Sequence, residues 1–346
     1  MKRKISLMLL LVLAVSIIAA GCGGNKPTIN VYNWGDYIDP EVLGMFEDEY
    51  GVRVVYDTYA TNEDLYIKLK QGGSSYDVII PSDYMIERMI KEDLLSKINM
   101  DNIDQLNNVA DKFMRLDYDP TNEYSVPYMW GTVGIIYNKT MVSKPLTSWE
   151  DLWDEEFSGQ IIMLNSQRDT LAVALKRLGY SMNTRSISEL EEARDELIAQ
   201  KPLVYAYLGD EVKGVMTGGE AAIAVVWSGD AVAMMQENED LEYVLPTEGT
   251  NLWFDAMVIP KNAKNQTDAE KFINYMTRPD IAALNAEYIG YSSPIPAAVE
   301  MLPEEIQNSP VAYPADELLK NTEIFKDPQD ILSEYDRIWT EITSAQ

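Results

Sequence analysis

Three short apolar runs, with two helical stretches between them, constrain this chain more than any other feature. Thr28–Asn33, Val52–Tyr56 and Tyr76–Ile80 are rich in Val, Ile and Tyr, residues that fill a pleated, half-buried surface. Asp39-Pro40 opens the first helix, with Asp as N-cap and Pro in the first turn. Val42, Leu43, Met45 and Phe46 form its apolar stripe, and Gly51 ends it. Asn62–Gln71 is the second helix, closed by Gly72-Gly73. Pro81-Ser82-Asp83-Tyr84 opens another helix after the third run. This β-α-β-α-β order predicts an α/β fold on a parallel, doubly wound sheet.

The same alternation continues. Ser125–Asn138 reads as a long strand-like run with Gly131 and Gly134 inside it, the first crossing between two lobes. Strands at Ile161–Leu164, Leu203–Ala206, Ala221–Val226 and Leu241–Leu245 build a second sheet. Between them lie a helix lined by Leu171, Val173, Ala174, Leu175 and Leu178 and an amphipathic surface helix, Glu189–Ile198. Asn251–Pro260 is a strand that returns the chain to the first lobe. Helices follow at Thr267–Met276 and Pro279–Glu287, and Pro303–Gln346 reads as helices joined by Asp/Pro turns. The expected division is 27–131 with 256–300 in an N-terminal lobe, and 132–255 with 301–346 in a C-terminal lobe.

Residues 1–21 are expected to be a signal peptide. Lys2-Arg3-Lys4 is a basic start, and Leu7–Ala20 is an apolar run shorter than the about 20 residues of a comfortable membrane span. Ala19-Ala20-Gly21-Cys22 then resembles a bacterial lipobox. The resemblance implies cleavage before Cys22, lipidation of its sulfur and a tether over 22–26. Cys22 is the only cysteine, so stability rests on packing rather than disulfides, and there is no histidine at all. Ser-His-Asp and Cys-His nucleophilic sites are thereby excluded, along with the commonest zinc ligand. The formal net charge is −28. Such a surface repels nucleic acid, which needs Lys and Arg to displace counterions, and it steers cations inward.

The richest stretch for binding is Asn251–Pro260. Side chains alternate along a strand, so Trp253 and Asp255 share one face while Leu252, Phe254 and Ala256 share the other. An indole beside a carboxylate attracts an organic cation by its ring quadrupole and by ion pairing. Other strand ends carry the same residue types: Trp34 and Asp36, Asp83 and Tyr84, Ser166 and Asp169, and Trp227. In open α/β sheets, ligands bind outside the carboxyl ends of the strands. With Tyr291, these residues compose a box of aromatics and acids with no basic residue among them. Each also has a plainer reading: Asp36 and Asp169 as helix caps, Tyr84 and Trp227 as packing. Jointly they suit a flexible polyamine, with acids pairing ammonium groups and rings covering methylenes, each worth about 0.8 kcal/mol when buried.

Several segments together resemble the spermidine/putrescine-binding proteins of polyamine ABC transporters. They are Val31–Tyr37, Tyr76–Tyr84, Pro127–Gly131, Thr147–Trp153, Leu175–Tyr180, Trp253-Phe-Asp255 and Ile289–Pro294. The resemblance implies a two-lobe, periplasmic-binding-protein-like fold of type II, each lobe a doubly wound mixed sheet, joined by a two-segment hinge. It implies ligand contacts from Trp34, Asp36, Tyr37, Tyr84, Asp169, Trp227, Trp253, Asp255 and Tyr291. It also implies a membrane permease and an ATPase as partners, a monomer outside the cytoplasm, no catalysis and no cofactor. Ser166 stands where a spermidine-preferring member has an acid, and Asp36 and Asp169 where it has glutamates. Matching the acids Asp36, Asp169 and Asp255 to three ammonium groups leads us to expect spermidine to bind at least as tightly as putrescine. Two other readings fit some of the pattern: a receptor for another organic cation or metal chelate, and a glycosidase using a carboxylate pair.

Overall fold

The computed structural model describes residues 26–72 and 75–345. The expected signal peptide and the expected lipidation at Cys22 lie outside the described residues. In chain order the elements are β1 (Thr28–Trp34), α1 (Pro40–Tyr50), β2 (Arg53–Tyr59), α2 (Asn62–Lys70), β3 (Val78–Ile79), α3 (Asp83–Lys91), β4 (Leu95–Ser96) and β5 (Ser125–Asn138). Then come β6 (Ile161–Leu164), α4 (Gln167–Arg177), α5 (Ile187–Gln200), β7 (Val204–Leu208), α6 (Val212–Thr217), β8 (Ile223–Trp227), α7 (Ser228–Glu237), β9 (Leu241–Val244) and β10 (Leu252–Pro260). The chain ends with α8 (Gln266–Met276), α9 (Pro279–Ile289), α10 (Pro296–Val299), α11 (Glu304–Gln307) and α12 (Leu332–Ser344). Among the described residues no helix is long and apolar enough to cross a membrane.

The strands follow one path, β2-β1-β3-β10-β5-β8-β6-β7, with β4 paired to β10 and β9 to β5. β1 is parallel to β2 and β3, and β6 is parallel to β7 and β8. The two strands at the middle of the path, β10 and β5, are antiparallel to their neighbours. The expected parallel units are therefore present, but they form two ends of one mixed path rather than separate sheets. β5 joins them: residues 125–132 pair with β10, and 133–137 pair with β8. All fourteen of its residues are buried. Gly131 is required there, because a Cβ would lie 2.5 Å from Ser228 Oγ and 2.6 Å from the Trp253 ring.

Local signals placed the helices well. The Asp39 carboxylate accepts from the Glu41 backbone N–H, and Gly51 closes α1 in the left-handed region at φ 66°; a cap of this kind is worth about 1 kcal/mol. The stretch after Ser148 is a single 3-10 turn, Trp149–Trp153, held by a reciprocal capping box with Asp151. It seats Trp149, fully buried, with its Nε1 donating to Gly249 O. The expectation of helices throughout 303–346 holds only for its ends. Apart from one 3-10 turn, residues 308–331 run without helix, which brings Glu323 and Phe325 back over the second half of the molecule.

Candidate functional site

All eleven residues singled out from the sequence line one cavity of about 220 Å³: Trp34, Asp36, Tyr37, Asp83, Tyr84, Ser166, Asp169, Trp227, Trp253, Asp255 and Tyr291. The ends of β1, β3, β6 and β8 supply four groups of them, and β10 supplies the fifth. β10 slips register against β5 between Asp255 and Ala256, so that Tyr128 is the extra residue on β5. Bulges of this kind re-aim side chains beside sites. Tyr128 uses its position: its hydroxyl donates to Tyr37 O at 2.6 Å and accepts from Asn285 Nδ2 at 2.6 Å.

The rings are locked against one another. Tyr37 and Tyr291 meet edge-on with centroids 5.2 Å apart, Trp253 and Tyr291 at 5.5 Å, and Trp34 and Tyr59 at 4.6 Å. Polar atoms at this centre lack partners. Trp34 Nε1, Trp253 Nε1, Tyr37 Oη, Asn251 Oδ1 and Asp255 Oδ1 are buried with no hydrogen bond inside the protein. Buried polar groups are nearly always satisfied, so this concentration marks where a polar ligand belongs.

The acids fall into three kinds. Asp255 and Asp169 are buried, and no lysine or arginine among the described residues forms an ion pair with either. Burial pushes Asp255 up to about 7; Ser82 and Tyr37 offset part of this, and Asp169 adds repulsion. Tyr37 lies beside Asp255 but outside hydrogen-bond geometry. Burial also raises Asp169, against Ser166, whose hydroxyl donates to it at 2.7 Å, and against Asn251. Asp83 is different. Its two oxygens accept from the backbone N–H groups of Tyr84 at 2.6 Å and Phe254 at 3.0 Å, so it ties α3 to β10. Asp36 is different again: it is 74% exposed and ion-paired to Lys213 at 3.2 Å. Ser166 serves as the N-cap of α4, accepting from the Asp169 N–H.

The expectation of a box without basic residues is corrected. Arg168 lines the cavity and is almost fully buried. Its guanidinium lies 5.0 Å from the Tyr84 ring centroid, 4.5 Å from Phe325 and 5.0 Å from Tyr335, and it donates to Lys326 O at 3.0 Å. Spread over three ring faces, its charge is occupied, and the acids at the centre keep none of it as an ion pair. The sequence reading also passed over Glu63, Asp210 and Asp230, which line the same cavity. Asp210 and Asp230 follow β7 and β8, so the strand-end rule that found the others would have found them. Glu63, raised by burial, accepts from the Tyr84 hydroxyl at 3.1 Å; it lies in the first turn of α2, just after β2, so the same rule reaches it.

Residues 41–315 match the family described as bacterial extracellular solute-binding protein. The chain is 36% identical over 336 residues to the spermidine/putrescine-binding periplasmic protein of Escherichia coli (strain K12), covering 96% of each. The solved spermidine/putrescine ABC transporter substrate-binding protein of Streptococcus pneumoniae is 44% identical, with a TM-score of 0.79 over 92% of this chain and 99% of that one. A lipoprotein of Treponema pallidum is 28% identical, with a TM-score of 0.82 over 91% and 99%. The path of strands, the cavity at their ends and these matches together lead to one conclusion: the chain belongs to the bacterial extracellular solute-binding proteins and has their two-lobed, type II α/β fold.

Proposed function

We propose that this protein captures a polyamine, spermidine or putrescine, between its lobes and delivers it to an ABC importer. One observation carries the reading: two buried carboxylates, Asp255 and Asp169, face an aromatic box, no lysine or arginine among the described residues forms an ion pair with either, and one of them has an unpartnered oxygen. A buried charge without a counter-charge is costly, and a ligand ammonium removes that cost on arrival. The indoles of Trp34, Trp227 and Trp253 then cover the methylenes between ammonium groups. The names of the relatives from Escherichia coli and Streptococcus pneumoniae support the same ligand class. Titration calorimetry of the mature protein with putrescine, spermidine and spermine tests it. Saturable binding of at least one polyamine is expected, and heat no greater than dilution for all three sinks the reading.

In this reading 27–131 with 256–300 closes against 132–255 with 301–346, and Trp34, Asp36, Tyr37, Tyr84, Asp169, Trp227, Trp253, Asp255 and Tyr291 contact the ligand. A permease receives the loaded, monomeric protein, and its ATPase partner drives import. Cys22 carries the lipid that keeps the protein at the outer face of a membrane; the lipoprotein from Treponema pallidum is a relative of the same kind. Cys22→Ala is expected to move the protein from the membrane to the soluble fraction, and unchanged retention would refute acylation there.

A further inference from the structure

One group of charges, whose acids line the cavity, is unlike the rest. Lys213, on α6, lies 3.2 Å from Asp36 Oδ2, 3.6 Å from Asp210 Oδ1 and 3.7 Å from Asp230 Oδ1. Asp36 comes from the loop after β1, at one end of the strand path. Asp210, Lys213 and Asp230 come from the other end, so the ammonium bridges the cleft. The two sides are in close contact there: a Cβ on Gly35 would lie 2.6 Å from Asp210 Oδ2. Asp230 is buried, and its second oxygen, Oδ2, has no partner.

This cluster is continuous with the centre of the site. Tyr291 lies beside Asp230, Tyr37 lies beside Asp255, and the two rings touch at 5.2 Å. A row of acids therefore runs from Asp169 and Asp255 to Asp230, Asp210 and Asp36. At its far end the protein has already placed an ammonium of its own. Burial acts to lower the Lys213 pKa, but Asp230, Asp210 and Asp36 outweigh it and hold the ammonium above its ordinary value. Burial pushes Asp230 up to about 6 even with Lys213 beside it, so this end is no surplus of free carboxylate.

We propose that Lys213 is a specificity-determining residue of the cleft: its ammonium takes the cation position offered by Asp36, Asp210 and Asp230, and so limits what a third ammonium of a longer polyamine adds. The proposal rests on the polyamine reading. A diamine is satisfied by Asp255 and Asp169 and never meets Lys213. A triamine long enough to reach the cluster meets a like charge there, and specificity is built by such repulsion as much as by attraction. The charge match of spermidine to Asp36, Asp169 and Asp255 thus loses Asp36 to the protein's own side chain.

The test is the ratio of putrescine to spermidine dissociation constants, measured by calorimetry at one salt concentration for wild type, Lys213→Gln and Lys213→Arg. Lys213→Gln leaves three acids without a cation, and the ratio should shift toward spermidine by about tenfold. Lys213→Arg keeps the charge and should stay within about threefold of wild type. A Lys213→Gln ratio within about threefold of wild type, or one shifted toward putrescine, overturns the proposal. So does equal weakening of both ligands, the mark of a residue that only holds the cleft in shape. Absence of polyamine binding by the wild type is a separate outcome, because it removes the polyamine reading itself.

Discussion

The cleft has a centre and a rim that solve the same electrostatic problem in opposite ways. At the rim, Asp36, Asp210 and Asp230 share the ammonium of Lys213. At the centre, Asp255 and Asp169 are just as acidic in type and more deeply buried than Asp36, yet among the described residues no lysine or arginine forms an ion pair with either. The rim already holds a cation as folded, whereas the centre carries a desolvation cost that protonation or an incoming cation relieves. Acidic residues in a cleft are thus not equivalent ligands, and their standing is set by which cations the fold has already spent on them.

The largest expected break in this contrast is Asp255→Asn. Removing one partner of a buried ion pair costs about 3–5 kcal/mol, so putrescine affinity should fall by at least a hundredfold, or about 2.7 kcal/mol. A loss of less than about tenfold would place the centre of binding elsewhere.

Lowering the pH comes next. The folded-state pKa of Asp255 is about 7, above the roughly 3.9 of an unfolded aspartate. A ligand ammonium needs the carboxylate, so affinity should decline by about tenfold for each pH unit below that value. The ligand-free protein should respond oppositely. Its folded state holds this proton more tightly than the unfolded state does, so the associated stability is present below pH ~4 and is lost as pH rises through about 7. Thermal unfolding of the ligand-free protein between pH 5 and 8 reads this directly. Asp255→Asn should flatten both profiles, leaving the remainder to Asp169, Asp230, Asp83, Glu63 and Asp210, whose carboxyls are also raised by burial. Parallel profiles for wild type and variant would assign the titration to one of those others.

Trp253→Leu should cost less than Asp255→Asn. It keeps apolar cover and forfeits mainly the cation–π contribution, about 0.5–2 kcal/mol. Calorimetry on the two variants gives the ranking, and a larger loss for the tryptophan would make ring stacking the main source of affinity. The smallest effect is expected at the rim. Asp36→Asn removes an exposed, already paired carboxylate, and exposed pairs are worth little, so putrescine affinity should change by less than about fivefold. A change as large as that of Asp255→Asn would erase the distinction between rim and centre.

Much of this site was legible before the fold was known. Residue alternation put Trp253 and Asp255 on one face, the strand-end rule gathered Trp34, Asp36, Asp83, Tyr84, Ser166, Asp169 and Trp227, and the family resemblance added Tyr37. Alternation and the strand-end rule both depend on local geometry that a strand imposes on its own sequence. Asp210 and Asp230 obey the same rule and were passed over, whereas the placing of Arg168 and Lys213 depends on distant segments. Arg168 is shielded by Phe325 from an irregular stretch and Tyr335 from the last helix, and no periodicity links those positions. Lys213 meets Asp36 across 177 residues. Asp83 was identified as a site residue by position, but its role in fastening Phe254 to α3 shows only in the hydrogen bonds.

The extra residue at Tyr128 also sets a rule for recombination. A strand assigns its side chains to two faces by odd and even position, and the slip opposite Asp255 and Ala256 changes that parity once, between β5 and β10. A one-residue insertion or deletion on β5 would restore the parity and turn part of the strand inside out. In a chimera made with a relative, residues 125–138 and 252–260 therefore belong to a single parent, and crossover points fall in the loops outside them. The two strands are inherited as one part, although more than a hundred residues separate them in the chain.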